Sequence, residues 1–382
     1  MKMDTPKVTL HMPEWRAVAV LPNIYTSDAF DGGPIAVTSA NDSRVQEITA
    51  SQPKLLEFLS RFTDAFGVKL SPAILVVKDD LFDKLRTTNA IPSFRDALAI
   101  SVVPYARANS IVYNNTGDRL YYGASFWLYP WMLGNELGHM TMSTPALGAF
   151  HVVEEFHGQS LPEMPYLQLR MIDLDNVLFE ALMKRWRRHY LTGRQIWEDR
   201  ALFRSLNAAA HATQLPGGSD TTQYDLCRIA ALWVGAFEML THPRKGGAGL
   251  HTVYPLLARV RPNNKDLQKA KYIAHMGRAK KPWPRRTLPC WLYGRLYQAR
   301  NKYIHGNPIT QKILMLKGAQ HGLFWLAAPL YRFALIAFLN LGRHRQQPTN
   351  PKMYKRHAEE WFKYNYNNSI IERALLRARK AK

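Results

Sequence analysis

Leu288, Leu292, Leu296, Ala299 and Tyr303 recur at three- and four-residue steps, and the run then meets Gly306-Asn307-Pro308. Residues so spaced share one face of an α-helix, so the pattern predicts a helix over Thr287–His305 with one core-facing stripe. Gly306 is suited to the left-handed position past a helix end and Pro308 cannot continue the helix, which places His305 in the last turn. The same spacing recurs over Leu174–Arg188, Ile196–Thr213, Tyr224–Leu240 and Gln320–Leu339. Helices carrying one apolar stripe each must bury those stripes against one another, and a helical bundle follows.

The first part of the chain has a different pattern. Arg16–Leu21 and Ala73–Val77 are short β-rich runs, Asp31-Gly-Gly-Pro34 and Asn115-Thr-Gly-Asp118 read as turns, and Pro53–Phe66 carries helical spacing at Leu55, Phe58, Leu59 and Phe62. The expected fold class is therefore α+β, with a mixed α/β region over 1–165 followed by an all-α domain over 166–342 and a basic tail over 343–382. Leu161-Pro-Glu-Met-Pro165 reads as the boundary, and 382 residues leave room for two domains.

Charge changes sign at that boundary. Residues 1–165 hold 13 Lys+Arg against 17 Asp+Glu, a balance of −4, while residues 166–382 hold 38 against 12, a balance of +26. So segregated a field favours a polyanionic partner, with phosphate the commonest, over a merely solvated basic surface. In the tail, 11 Lys+Arg stand against 3 Glu, with Tyr354, Trp361, Phe362, Tyr364 and Tyr366 between them. Two readings of it stay open, a single-strand binder that uses charge for the backbone and rings for bases, and an ordinary amphipathic terminal helix.

Other classes find little support. Cys227 and Cys290 are the only cysteines, so disulfide staples and structural zinc are not expected, and a reducing cytoplasm fits. Residues 1–20 show no signal-peptide pattern, and Leu323–Leu339, broken by Pro329 and Arg332, is too short to span a bilayer. Asn135-Glu-Leu-Gly-His139 echoes the zinc-protease pattern, but Asn removes a required ligand, and His151, Glu155 and His157 do not restore it. No metal or cofactor is expected.

Arg300 and His305 are the remaining chemical feature. Arg followed by His after four to six residues is cheap, since roughly three matches are expected by chance in a chain of this composition. Three occur, the others being Arg204/His211 and Arg244/His251. Of these, Arg204 reads as structural and His211 as a partly buried polar residue, and the pair in the Gly-rich connector reads as coincidence. On a regular helix His305 lies about 140° round from Arg300, so one copy makes half a site that a second protomer would complete.

Leu296-Tyr-Gln-Ala-Arg-Asn-Lys-Tyr-Ile-His-Gly-Asn-Pro308 resembles the Arg-x(4–6)-His signature of HEPN domains, in particular the Apea-like branch with Asn after Arg and Gly after His. Leu232–His242 and Arg204–Ala210 resemble the same branch, so the likeness covers roughly residues 195–340. It implies a four- or five-helix bundle, usually dimeric, that cleaves RNA without metal. Mapped onto this chain, His305 would act as general base or acid, Arg300 would hold the scissile phosphate and Asn301 would orient one of them. Glu238, Tyr303 and Lys302 would support them. By analogy alone a toxin-like or antiphage role follows, with residues 1–165 answering an unknown trigger or inhibitor. The bland reading makes Arg300–Glu238 a structural ion pair and His305 a helix cap. Rival functions are an RNA- or nucleotide-binding module without catalysis and a charged assembly protein.

Overall fold

The computed structural model describes residues 14–64, 66–114, 120–130, 132–133, 140–142, 151–153, 165–194, 196–214, 222–276, 282–316, 321–342 and 351–378. They fall into two compact units, Met1–Thr87 with Trp127–Leu169, and Thr88–Phe126 with Arg170–Lys382. The expected turn at Asn115–Asp118, the Leu161–Met164 part of the boundary, Asn135–His139, Glu155 and His157 lie outside the described residues.

The first unit is built on β1 (Trp15–Leu21), β2 (Ile24–Tyr25), β3 (Phe30–Asp31), β4 (Ile35–Thr38), β5 (Ala73–Lys78) and β6 (Tyr129–Pro130). Five of these form an antiparallel sheet in the order β3-β4-β5-β1-β6, with Ala36 opposite Val76 and Val20 opposite Ile74. The β-branched content of β1, β4 and β5 suits a pleated, buried surface. Ala17, Val20, Ala36, Ile74 and Val76 pack with Val45, Ile48, Leu55 and Phe58, which come from α1 (Ser43–Ser51) and α2 (Lys54–Ser60). The predicted helix over Pro53–Phe66 ends early for a local reason. The Asp64 carboxylate accepts the backbone N–H of Phe66 and Val68, and Gly67 takes φ +80°, so the chain turns where the helix would have gone on. A short helix α3 (Phe82–Arg86) follows β5. β7 (Met132–Leu133), β8 (Met140–Met142) and β9 (His151–Val153) make a small antiparallel sheet, and β10 (Leu167–Gln168) pairs with β2 in parallel.

The second unit is helical. It consists of α4 (Ala90–Tyr113), α5 (Asn176–Tyr190), α6 (Trp197–Ala212), α7 (Gln223–Leu240), α8 (Leu250–Arg259), α9 (Lys265–Gln268), α10 (Leu288–Ile304), α11 (Gln311–Leu314), α12 (Leu323–Phe338) and α13 (Pro351–Leu376), with a β11 (Tyr272–Ile273) and β12 (Arg285–Arg286) ribbon. The fold is α+β, an antiparallel sheet in the N-terminal part followed by helices. No helix of the described residues is long and apolar enough to cross a membrane.

Two elements depart from the expected domain plan. α4 lies inside the region read as mixed α/β, yet it belongs to the helical unit and packs against α5, α6, α12 and α13. Its residues are buried around most of its circumference, as befits a central helix. Arg107 on α4 is fully buried, with no carboxylate partner among the described residues. Its Nη2 donates to the carbonyl of Thr213 at the end of α6, at 3.1 Å, and its guanidinium lies 4.6 Å from the Phe324 ring. Burial lowers its pKa to about 10, and the carbonyl end of a helix is where a cation is best placed. The region read as a tail contains α13, which docks on α4, α5 and α12 and buries Tyr364, Ile370, Ile371 and Leu375. The segment is helical over Pro351–Leu376, as the second of its two readings expects, and Tyr364, one of its rings, is buried.

Candidate functional site

α10 forms as its stripe requires. Leu288, Leu292, Leu296 and Ala299 are buried and Tyr303 is half-buried. The helix closes in a Schellman arrangement: Gly306 at φ +65° donates to the Tyr303 carbonyl (3.2 Å), and Asn307 donates to the Lys302 carbonyl (2.9 Å). His305 is the capping residue, its N–H bonding the Asn301 carbonyl at 3.1 Å. Its imidazole is exposed and makes no hydrogen bond or ion pair with any described residue.

α10 packs on α7 and α8 through aromatic rings. Tyr293 lies 5.0 Å from Phe237 and 6.1 Å from Tyr254, centroid to centroid. Gly294 permits this closeness, because a Cβ there would stand 2.6 Å from the Tyr254 hydroxyl. That packing brings Arg300 to α7, where its Nη2 donates to Glu238 Oε1 at 2.7 Å. Its Nη1 donates to Asn301 Oδ1 at 3.1 Å, and the Tyr297 ring covers one face of the guanidinium at 4.8 Å. Both partners of the ion pair are one-fifth exposed. Burial pushes the Glu238 carboxyl above its usual range, and the Arg300 charge pulls it part of the way back. Burial also holds the Tyr293 phenol well above its ordinary value, and its hydroxyl has no hydrogen-bond partner among the described residues.

Arg300, Asn301 and Glu238 are thus assembled into one fixed group, the arginine immobilised on three sides. His305 is not part of it. Lys302 is exposed and Tyr303 half-buried, and neither bonds to the pair. A guanidinium so held is preorganised, but both its terminal nitrogens already donate and its carboxylate partner offsets part of its charge, so an oxyanion would meet it through the N–H groups that remain. The role of Tyr297 was not read from the sequence, although its place three residues before Arg300 put it on the same face. Arg204 and His211 are both exposed, so His211 is not the partly buried residue expected; its Nδ1 lies 3.2 Å from Gln214 Nε2. Cys227 and Cys290 are buried free thiols.

Comparison of the chain with protein-family models, with curated proteins and with solved structures gives no match, so the functional reading rests on the chain's own residues.

Proposed function

We propose that the chain is a metal-independent endoribonuclease acting in the cytoplasm, with Arg300 and His305 as its working groups. The observation that carries the reading is the immobilised Arg300, held by Glu238, Asn301 and Tyr297 less than two turns from an imidazole left exposed at the helix end. In the neutral form His305 takes the proton of an RNA 2′-hydroxyl as that oxygen attacks the adjacent phosphorus, or in the protonated form it gives a proton to the departing 5′-oxygen. Arg300 stabilises the charge that builds on the non-bridging oxygens. The P–O5′ bond breaks as the P–O2′ bond forms, leaving a 2′,3′-cyclic phosphate and a 5′-hydroxyl, so DNA is not a substrate. Because the two side chains diverge on their helix, the complete site takes Arg300 from one protomer and His305 from another. A restrained RNA-cutting enzyme of this kind suits a toxin-like or antiphage role with a trigger or inhibitor.

The ion pair itself favours a second reading. An arginine already matched by Glu238 serves packing as well as catalysis, and the same bundle would then bind RNA without cutting it. The two separate in one assay. A structured RNA pool is incubated with the protein in EDTA, beside His305→Ala and Arg300→Ala; the nuclease reading expects cyclic-phosphate ends from the parent and none from either variant, and binding without cleavage by the parent favours the module.

A further inference from the structure

The Arg244/His251 pair, whose spacing alone carries no weight, lines the wall of one groove within the helical unit. That groove has a volume of about 1140 Å³ and is walled by the start of α6, the end of α7 and α8. Neither Arg300 nor His305 lines it.

Its polar lining is lopsided. Arg200, Arg244 and Arg259 face it against the single carboxylate of Glu198, with His242 and His251 beside them. Arg244 and Arg259 are exposed and form no salt bridge with any described residue. Leaving cations uncompensated in a concave wall focuses a positive potential there. The first turn of α8, which holds His251, faces the same space and adds the partial positive charge of a helix N-terminus. Flat apolar surface lies next to these groups in Trp197 and Phe338. Trp197 is fixed in place, its Nε1 donating to the His242 carbonyl at 2.9 Å.

The backbone supplies an independent observation. Three non-glycine residues among those described have positive φ, and two of them, Asn114 and Asn340, are of the type that tolerates it. The third is Arg244 at φ +71°, whose N–H donates to His242 Nδ1 at 3.2 Å. A long side chain held in the left-handed region is a strained choice of the kind that concentrates at functional sites. Lys245-Gly-Gly-Ala-Gly249 follows and carries the backbone into α8, with Gly246 at φ +81°.

We propose that this groove binds the phosphate and base of a nucleotide, either free or as a unit of an RNA strand, with Arg244 and Arg259 on phosphate and Trp197 against the base. The charge selects phosphate, the fixed indole selects a planar ring, and the volume exceeds the ~300–1,000 Å³ of ordinary ligand clefts, leaving room for more than one nucleotide. The site is independent of the proposed cleavage at Arg300 and His305 and stands whether or not the chain cuts RNA.

The test titrates the full chain with ATP, with adenosine and with a fluorescein-labelled ten-nucleotide oligo-U, reading calorimetry or polarisation. ATP or the oligonucleotide binds and adenosine does not. The double variant Arg244→Gln/Arg259→Gln loses about ten-fold or more in affinity at an unchanged melting temperature. Competition between ATP and the oligonucleotide identifies a free nucleotide as an acceptable source, and binding of the oligonucleotide alone identifies the strand. Should the double variant melt early, Arg259→Glu, at an exposed position in the last turn of α8, replaces it with the same expected loss. Failure of both phosphate ligands to bind, or equal affinity in parent and variants, overturns the proposal.

Discussion

Glu238 shows how much a single contact settles. Its carboxyl is desolvated and sits above its ordinary range, and the Arg300 charge is what limits that rise. In Arg300→Ala that counter-charge is gone and the carboxyl moves further up. A group with a raised folded pKa holds its proton longer in the fold than in the unfolded chain, so stability falls as pH rises from about 4.5 through the folded value. Arg300→Ala is therefore expected to cost about 1–3 kcal/mol at pH 8 and distinctly less at pH 5, measured by urea denaturation at both. A pH-independent cost would contradict the assignment. His189 works the other way. Burial lowers its pKa below 6.5, and its ring stacks on Phe203 at 5.5 Å. The unfolded chain then takes up the proton first, so its contribution to stability is full above about 6.5 and is lost as pH falls through that value toward the folded one. His275 and His321 are shifted the same way by burial. Replacing His189 with Phe is expected to flatten the fall in denaturation midpoint between pH 7 and 5.5; an unchanged slope would rule the site out as a source.

α13 is held by polar contacts that its composition hides. Arg332 Nε donates to Asp175 Oδ2 at 2.8 Å and Arg332 Nη1 to Asn368 Oδ1 at 2.8 Å, all three residues buried. Asn367 donates to the other Asp175 oxygen at 3.3 Å, and Glu372 accepts from Asn368 and from the backbone of Asn263 and Asn264. Asp175 also caps α5. Truncating it strands the buried Arg332 charge, so Asp175→Ala is expected to cost about 3–5 kcal/mol and to loosen α13, read as faster proteolysis after residue 350. Wild-type protection of α13 in that variant would contradict the network's role. The same contacts explain what the sequence could show. α5, α6, α7 and α10 were legible to within a few residues because each pairs an apolar stripe with a more polar face, and α12 showed as the longest apolar run of the chain. The buried face of α13 includes Asn367, Asn368 and Glu372, so hydrophobic spacing does not mark it, and α4, buried nearly all round, has no polar face to set a period. At the candidate site the Arg300–Glu238 pairing was one of the readings the sequence offered. The groove was not, because Trp197, Arg244 and Arg259 meet only when α6, α7 and α8 pack together.

At the scale of the whole molecule, a net charge of +22 makes affinity for any polyanion sensitive to salt. If the basic surface neutralises phosphates, log affinity is expected to fall linearly with log salt, and a flat response would argue against backbone recognition. If the proposed site takes Arg300 from one copy and His305 from another, the two variants complement each other. Mixing inactive Arg300→Ala with inactive His305→Ala then restores about a quarter of parental cleavage, since about half the dimers are mixed and each has one intact site of two. The most direct measurement is the cleavage assay itself: purified protein, structured RNA and EDTA, with product ends identified. The expected result is 2′,3′-cyclic phosphate ends from the parent and no product from His305→Ala or Arg300→Ala variants that melt cooperatively. Cleavage by either variant at the parental rate, or an inert parent, would contradict it.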